Sequence, residues 1–219
     1  MDGFDVSSTI ALILEGASLV ADSKDLLTKA DQAIGDGDHG IGMARGCEAV
    51  REKLTGGAFA SPGEVFQATG QAMMASVGGS SGAIFGTLFL AGGKKLGGAP
   101  LLTSEGFADA LEEGLSAVQS RGKAKVGDKT LVDALAPAAA AARDRQIAAL
   151  PECLQAAAQA AKTGAQRTTQ LIATLGRAKT LGERSLGHID PGALSLSIWL
   201  AGMAVAAQNA WPFEPTSQP

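Results

Sequence analysis

The sequence predicts an all-α protein, an up-and-down bundle of antiparallel helices. Three observations carry this. Apolar residues recur at the three-and-four spacing of a helix along most of the chain, and the every-second-residue alternation of a half-buried strand is almost absent. Ser and Thr caps, Ser-Pro and Asp-Pro pairs and Gly-Gly pairs punctuate the periodic stretches, as helix starts and stops do. Most links are short, which favours consecutive helices folding back on one another.

Ser7 or Ser8 can cap a first helix with Ile10, Ile13, Leu14, Ala17 and Val20 on its apolar face. Ser23 can cap a second, running through Leu26 and Leu27 to Ala30. A third begins near His39, carries Met43, Cys47, Val50 and Leu54, and stops at Gly56-Gly57. Ser61-Pro62 pairs a capping side chain with a proline in the first turn and opens a fourth, bearing Val65, Phe66, Thr69 and Met73. After a small-residue loop at 76–82, the fifth helix spans 84–96 and is apolar nearly all round, which suits a central position. Thr103 or Ser104 caps a sixth with Phe107, Leu111, Leu115 and Val118. A seventh starts near Thr130 and contains Pro137, a kink signal. Pro151 sits at the start of an eighth, running to about Ala173. The stretch 174–189 is too glycine-rich for one regular helix, and Asp190-Pro191 opens the last, to about Asn209. The count is eight or nine. Residues 1–211 are expected to form one domain, with the proline-bearing 212–219 as a frayed tail.

Composition narrows the function. With 219 residues, 46% of them hydrophobic, the chain can bury a substantial core. A net charge of -4 and a pI near 5.2 argue against a nucleic-acid partner held by phosphate contacts. Two cysteines, Cys47 and Cys153, both in predicted helices, make no disulfide framework, so a reducing, cytoplasmic location is the default. The acidic start Met1-Asp2-Gly3-Phe4-Asp5 is unlike a secretory signal. The most apolar run, 193–207, is shorter than the roughly 20 residues of a membrane span, and Ser195 and Ser197 interrupt it, so it reads as a core helix with no membrane role.

The chemistry concentrates in 31–40, where Asp31, Asp36 and Asp38 fall within eight residues without a lysine or arginine among them. Carboxylates forced this close repel one another and call for a cation, and a hard divalent ion takes such oxygen ligands together with the phosphates of a substrate. Gly35, Gly37 and Gly40 allow the bend that would aim the three acids at one point. The spacing is not that of an EF-hand, because Gly40 and Cys47 stand at the fifth and twelfth positions counted from Asp36. The same residues also fit a polar Asp-Gly turn.

In an up-and-down bundle every second connection lies at the same end. The Asp-rich loop follows helix two, the Ser80-Ser81 loop helix four, the lysine-bearing loop 123–129 helix six, and the glycine- and arginine-rich stretch helix eight, so all four are expected together. The connections after helices one, three, five and seven are plain and belong at the other end. Gly78-Gly79-Ser80-Ser81-Gly82 offers backbone N–H groups and hydroxyls at a helix start, which suits a phosphate and equally an ordinary serine cap. Gly92-Gly93-Lys94-Lys95 is not a Walker A loop, since Leu88 stands where the first glycine is required and Lys95 where Ser or Thr is. Arg177 and Arg184 could pair with phosphate oxygens or with nearby carboxylates such as Glu183. Asp190 caps the last helix and could also hold a ligand against it. Of the two histidines, His39 beside Asp38 suits a phosphate contact, whereas His188 reads as structural.

Four segments, DQAIGDGDHGIGMARG (31–46), SVGGSSGAIFGT (76–87), SRGKAKVGDKT (120–130) and GRAKTLGERSLGHIDPGA (176–193), together resemble the nucleotide-binding (L) subunit of dihydroxyacetone kinase. They run in family order over most of the chain. The resemblance implies an eight-helix antiparallel barrel closed at one end by a Mg2+–nucleotide site, with ADP or ATP as the nucleotide. It implies Asp31, Asp36 and Asp38 as ligands of two Mg2+ ions. It implies His39, Gly40, Ile41, Gly42, Ser80 and Ser81 as phosphate contacts. Gly122, Leu131, Arg177, Asp190, Pro191 and Gly192 would line the rest of the nucleotide pocket. Leu131 stands where a Met is common in the family, and Gly37 where Ala also occurs.

The resemblance further implies a partner, because in this family a separate K subunit or domain holds dihydroxyacetone covalently through a histidine. No catalytic residue is therefore assigned to this chain. Two branches exist, one exchanging ATP and one keeping ADP bound and rephosphorylating it from a phosphotransferase-system protein; a free-standing L chain resembles the second. The chemistry would be phosphoryl transfer, whose demands are positioning and charge neutralisation. Other readings are a kinase subunit for another short ketose and a non-catalytic nucleotide-binding adaptor.

Overall fold

The computed structural model describes residues 3–210. Its elements are α1 (Val6–Asp22), α2 (Lys24–Ile34), α3 (His39–Thr55), α4 (Pro62–Ser76), α5 (Gly79–Leu96), α6 (Ser104–Gly122), α7 (Val132–Asp144), α8 (Leu150–Arg167) and α9 (Pro191–Ala210), with short 3-10 segments at Thr168–Gln170 and Arg177–Ser185. Among the described residues the only β pairing is an isolated bridge between Phe4 and Leu102.

Eight of these helices close a ring. Each helix from α3 to α9 packs on the next, and α1 packs on both α9 and α3. Neighbours run antiparallel, so the starts of α3, α5, α7 and α9 gather at one end and those of α1, α4, α6 and α8 at the other. The Phe4–Leu102 bridge ties the starts of α1 and α6 at that second end. The expected eight-helix antiparallel barrel is the observed architecture, and α2 is an extra element. Its axis departs from that of α1 by 60° at Ser23, and it lies against α3, α9 and the 177–185 segment.

Trp199 on α9 is fully buried, its ring 5.0 Å from that of Phe89 and 6.5 Å from that of Phe85. The ring closes on glycine. A Cβ on Gly202 would lie 2.7 Å from the Cα of Gly16, and one on Gly16 would lie 2.5 Å from the Trp199 indole. Close packing of α1 on α9 therefore tolerates no side chain at either position. α9 is 20 residues long, five more than the apolar run, and is long and apolar enough to cross a membrane by those two measures. Here it is a wall of the ring, with Ser195 and Ser197 buried in it.

Several boundaries differ from the sequence expectations. Asp5, rather than Ser7 or Ser8, caps α1, accepting the Ser8 N–H at 2.8 Å. α2 runs past Ala30 to Ile34, because Leu27, Asp31 and Ile34 share its buried face and the burial of Ile34 extends the helix by a turn. α5 starts five residues early, at Gly79. Its first turn is poor in helix formers, yet packing of the long apolar face outweighs propensity. α8 stops at Arg167, where Thr168 takes the Asp190 N–H at 2.9 Å and turns the chain. Pro137 lies inside α7. The connection after α1 is a bend that continues toward the polar end, not a plain link at the far end, because α2 is not an antiparallel partner of α1. The proposed tail, 212–219, lies outside the described residues.

Candidate functional site

The four polar connections meet at one end, as expected. They surround a cavity of about 530 Å³ whose walls come from α2–α3, the α4–α5 junction, the end of α6, the start of α7, residues 175–178 and the start of α9. Of the fifteen residues singled out from the sequence, Asp31, Asp38, His39, Ile41, Gly42, Ser80, Ser81, Gly122, Leu131, Arg177, Asp190, Pro191 and Gly192 line it. Asp36 and Gly40 do not. Asp36 stands beside the cavity within the carboxylate cluster. Gly40 packs the start of α3 on α2, where a Cβ would come within 2.2 Å of the Lys24 carbonyl oxygen.

Asp31, Asp36 and Asp38 each offer an oxygen within 4.8 Å of the others, the first carboxylate buried and the other two exposed. Asp31 is aimed by its place on the inner face of α2, and its second oxygen accepts the His39 N–H at 3.1 Å. Gly37, at φ +79, reverses the chain between the other two acids. The Arg177 guanidinium bridges this cluster, paired with Asp36 and 3.6 Å from Asp38. A cation thus already answers the acids, and three hard oxygen donors around one point suit Mg2+. Arg177 pairs with these acids rather than with Glu183, and Arg184 does not line the cavity.

Facing the acids is the start of α5. Gly78, at φ +81, forms its N-cap and has no side chain to cap it, so the first N–H groups meet no capping oxygen there. Ser80 and Ser81 sit in that first turn as cavity-lining residues. His39 is buried, and burial pulls its imidazole below the usual value against the opposing pull of Asp31 and Asp38. Its Nδ1 lies 3.0 Å from Ser81 Oγ and its Nε2 2.7 Å from Ser195 Oγ.

The wall formed by α7 and α9 is held from behind. Lys129 is buried, and its ammonium donates to the carbonyls of Thr168 and His188, each at 2.5 Å. Burial lowers its pKa while Asp190 and Asp133 raise it. Asp133 accepts from Gly127 and Thr130, bracing the loop before α7. Asp190 caps α9 through the Ala193 N–H at 2.7 Å. Burial raises its carboxyl to about 7, with Asp133 adding and the Ala193 N–H and Lys129 opposing. His188 contributes its backbone carbonyl, and its side chain is exposed.

Three residues of the site escaped the sequence reading. Lys129 looked like any loop lysine, and nothing local marks it as buried. Arg45 lines the cavity and donates to the Ser76 and Val77 carbonyls at 2.6 and 2.7 Å, closing the end of α4. Ser195 looked like a break in an apolar run; its place one turn after Pro191 was the available signal.

A helical ring carrying a carboxylate cluster opposite an uncapped helix start defines a class of site for a metal-bound polyphosphate. The chain belongs to the DAK2 domain family, whose model matches residues 33–205. It is 40% identical over 187 residues to the ADP-binding subunit DhaL of a PEP-dependent dihydroxyacetone kinase of Escherichia coli, covering 84% of this chain and 89% of that one. It is 43% identical over 187 residues to the L-erythrulose kinase of Pectobacterium atrosepticum, covering 84% of this chain and 32% of that enzyme. The crystal structure of the dihydroxyacetone kinase of C. freundii superposes with a TM-score of 0.71 at 28% identity, covering 94% of this chain and 36% of that one.

Proposed function

We propose that this chain is the nucleotide-binding subunit of a dihydroxyacetone kinase, a phosphotransferase that acts only with a sugar-binding partner. The observation that carries the reading is the juxtaposition of three convergent carboxylates with the uncapped start of α5 across one cavity. Asp31, Asp36 and Asp38 would hold magnesium, two ions in this reading, and the metal would neutralise charge on the phosphates when bound. His39 to Gly42, Ser80 and Ser81 would hold the phosphates, and Arg177 would turn from the acids to the polyphosphate. Gly122, Leu131 and the Asp190-Pro191-Gly192 turn would take the rest of the nucleotide, with Lys129 bracing that wall. A structure of the C. freundii enzyme in complex with AMP-PNP and Mg2+, at 28% identity and a TM-score of 0.71, supports the nucleotide and metal assignment.

The acceptor would be dihydroxyacetone held by a K-type subunit, in the cytoplasm. The donor would be a phosphotransferase-system protein that rephosphorylates bound ADP. This is supported by relatives named as PEP- or PTS-dependent ADP-binding subunits, from Escherichia coli at 40% and Lactococcus lactis at 36% identity. A second reading, a kinase subunit for a four-carbon ketose, is favoured by the 43% identity to the L-erythrulose kinase. One assay separates them. Phosphorylation of dihydroxyacetone and of erythrulose is followed with and without a K-type subunit, supplied either with ATP or with PEP and the phosphotransferase proteins. Turnover of dihydroxyacetone that needs both the K subunit and PEP is expected. Turnover with ATP alone would move the chain to the ATP-exchanging branch, and no turnover in any pairing would overturn the enzyme reading. Native mass spectrometry of the purified protein is expected to show retained ADP with two magnesium ions.

A further inference from the structure

We propose that Ser195 is a positioning residue for this site, holding His39 in the tautomer whose bare Nδ1 faces Ser81. The proposal rests on the reading of Ser81 as a phosphate contact and adds to it a residue that does not line the cavity. Four groups stand in line. Ser195, fully buried in the first turns of α9, donates its hydroxyl hydrogen to the Pro191 carbonyl oxygen at 2.9 Å. With that hydrogen committed, its oxygen is left to accept, and it faces His39 Nε2 at 2.7 Å. Nε2 therefore carries the ring hydrogen. In a neutral imidazole the other nitrogen is then an acceptor. That nitrogen lies 3.0 Å from Ser81 Oγ, so Ser81 donates to it.

The arrangement fixes a cavity-lining hydroxyl from 114 residues away in sequence (195 minus 81). Asp31 secures the backbone of His39 and Ser195 secures its ring, so neither end of the residue is free to turn. In the opposite tautomer an Nδ1–H would point at Ser81, which would have to turn its own hydrogen elsewhere. With its one hydrogen given to Nδ1, Ser81 meets a polyphosphate at the start of α5 through its backbone N–H, and its hydroxyl serves to tie that first turn to His39. A partner that sets the orientation of a histidine through its second nitrogen commonly matters about 10- to 100-fold where that histidine does work.

The chain's two histidines make a direct test available. In His188→Gln, which keeps the backbone carbonyl that Lys129 uses, His39 is the sole imidazole. Long-range 1H–15N spectra at neutral pH then report its tautomer. The Nε2–H form is expected in this parent; an Nδ1–H or doubly protonated ring overturns the proposal whether or not any Ser195 variant folds. Adding Ser195→Ala is expected to mix or invert the tautomer and to weaken Mg–ADP binding about tenfold by calorimetry. An unchanged tautomer, or unchanged affinity, overturns it. Failure of the parent to bind Mg–ADP would instead strike the nucleotide reading, and the role of Ser195 with it, while the tautomer measurement stands by itself.

Discussion

At the end of the barrel away from the cavity, α1, α4 and α6 begin under side-chain caps, and α8 begins at Ala149 without one. Asp5 takes the Ser8 N–H at 2.8 Å, Ser61 the Glu64 N–H at 3.3 Å and Thr103 the Gly106 N–H at 3.0 Å. At the cavity end, the N-cap residues of α3, α5 and α7 are Asp38, Gly78 and Leu131, and none of their side chains caps its helix. Only α9 among the four has a conventional cap, Asp190. A helix start can satisfy its free N–H groups internally, which stabilises the fold, or leave them for a ligand. This ring mostly does the first at one end; at the other, Asp31 takes the first N–H of α3 and Thr130 that of α7, and the start of α5 does the second. The two ends also differ in charge. The cavity end gathers Asp31, Asp36 and Asp38 and balances them with Arg177, a pairing that a magnesium ion could replace.

The largest break in that contrast should come from Asp36→Ala. Asp36 is exposed, so the fold should keep its unfolding midpoint, whereas Mg–ADP affinity should fall by at least about 100-fold. Unchanged affinity in magnesium calorimetry would remove the metal assignment. Next is Ser81→Ala, which removes the tie between His39 and the first turn of α5 and should weaken Mg–ADP by about tenfold. Equal binding by this variant would show that this tie does not position the first turn of α5 for the phosphates. At the opposite end, Thr103→Ala should do the reverse. It should cost about 1 kcal/mol in chemical denaturation and leave nucleotide affinity alone. A loss of affinity there would mean that the two ends are coupled.

The last effect is a slope. Asp190 holds its proton more tightly when folded, with a pKa raised to about 7, than when unfolded. Its contribution is therefore most favourable below the unfolded value and declines as pH rises toward 7, then levels off. Asp190→Asn can still accept the Ala193 N–H and should lack this decline. The difference between wild-type and variant stability curves should fall from about pH 4 to about pH 7. A flat difference would show Asp190 to be ionised throughout.

Much of this was legible in the chain. The Ser61-Pro62 and Asp190-Pro191 starts, the Gly56 stop and the buried stripe Met43, Cys47, Val50, Leu54 stand in the structure where local chemistry put them, because caps and helical period act within a turn or two. The gathering of four polar loops at one end also survived a wrong assumption. α1 and α2 are not an antiparallel pair, yet the loop after α2 still reaches the cavity, since α2 prolongs the direction of α1 across that end. The positions that misled were those whose partners are remote. Gly40 sits in a motif full of ligands, yet it is small so that α3 can meet α2.

The sequence alone determined the helices, most of their caps and the clustering of three aspartates in one turn-rich stretch, because those depend on neighbours within a few residues. Only the tertiary structure decided that α1 closes on α9 through Gly16 and Gly202, that Lys129 is buried under two carbonyls, and that Ser195 reaches His39. Each of these is a contact between segments far apart in the chain. Its energy comes from excluding water and matching hydrogen bonds across a packed interior, and no local pattern records it.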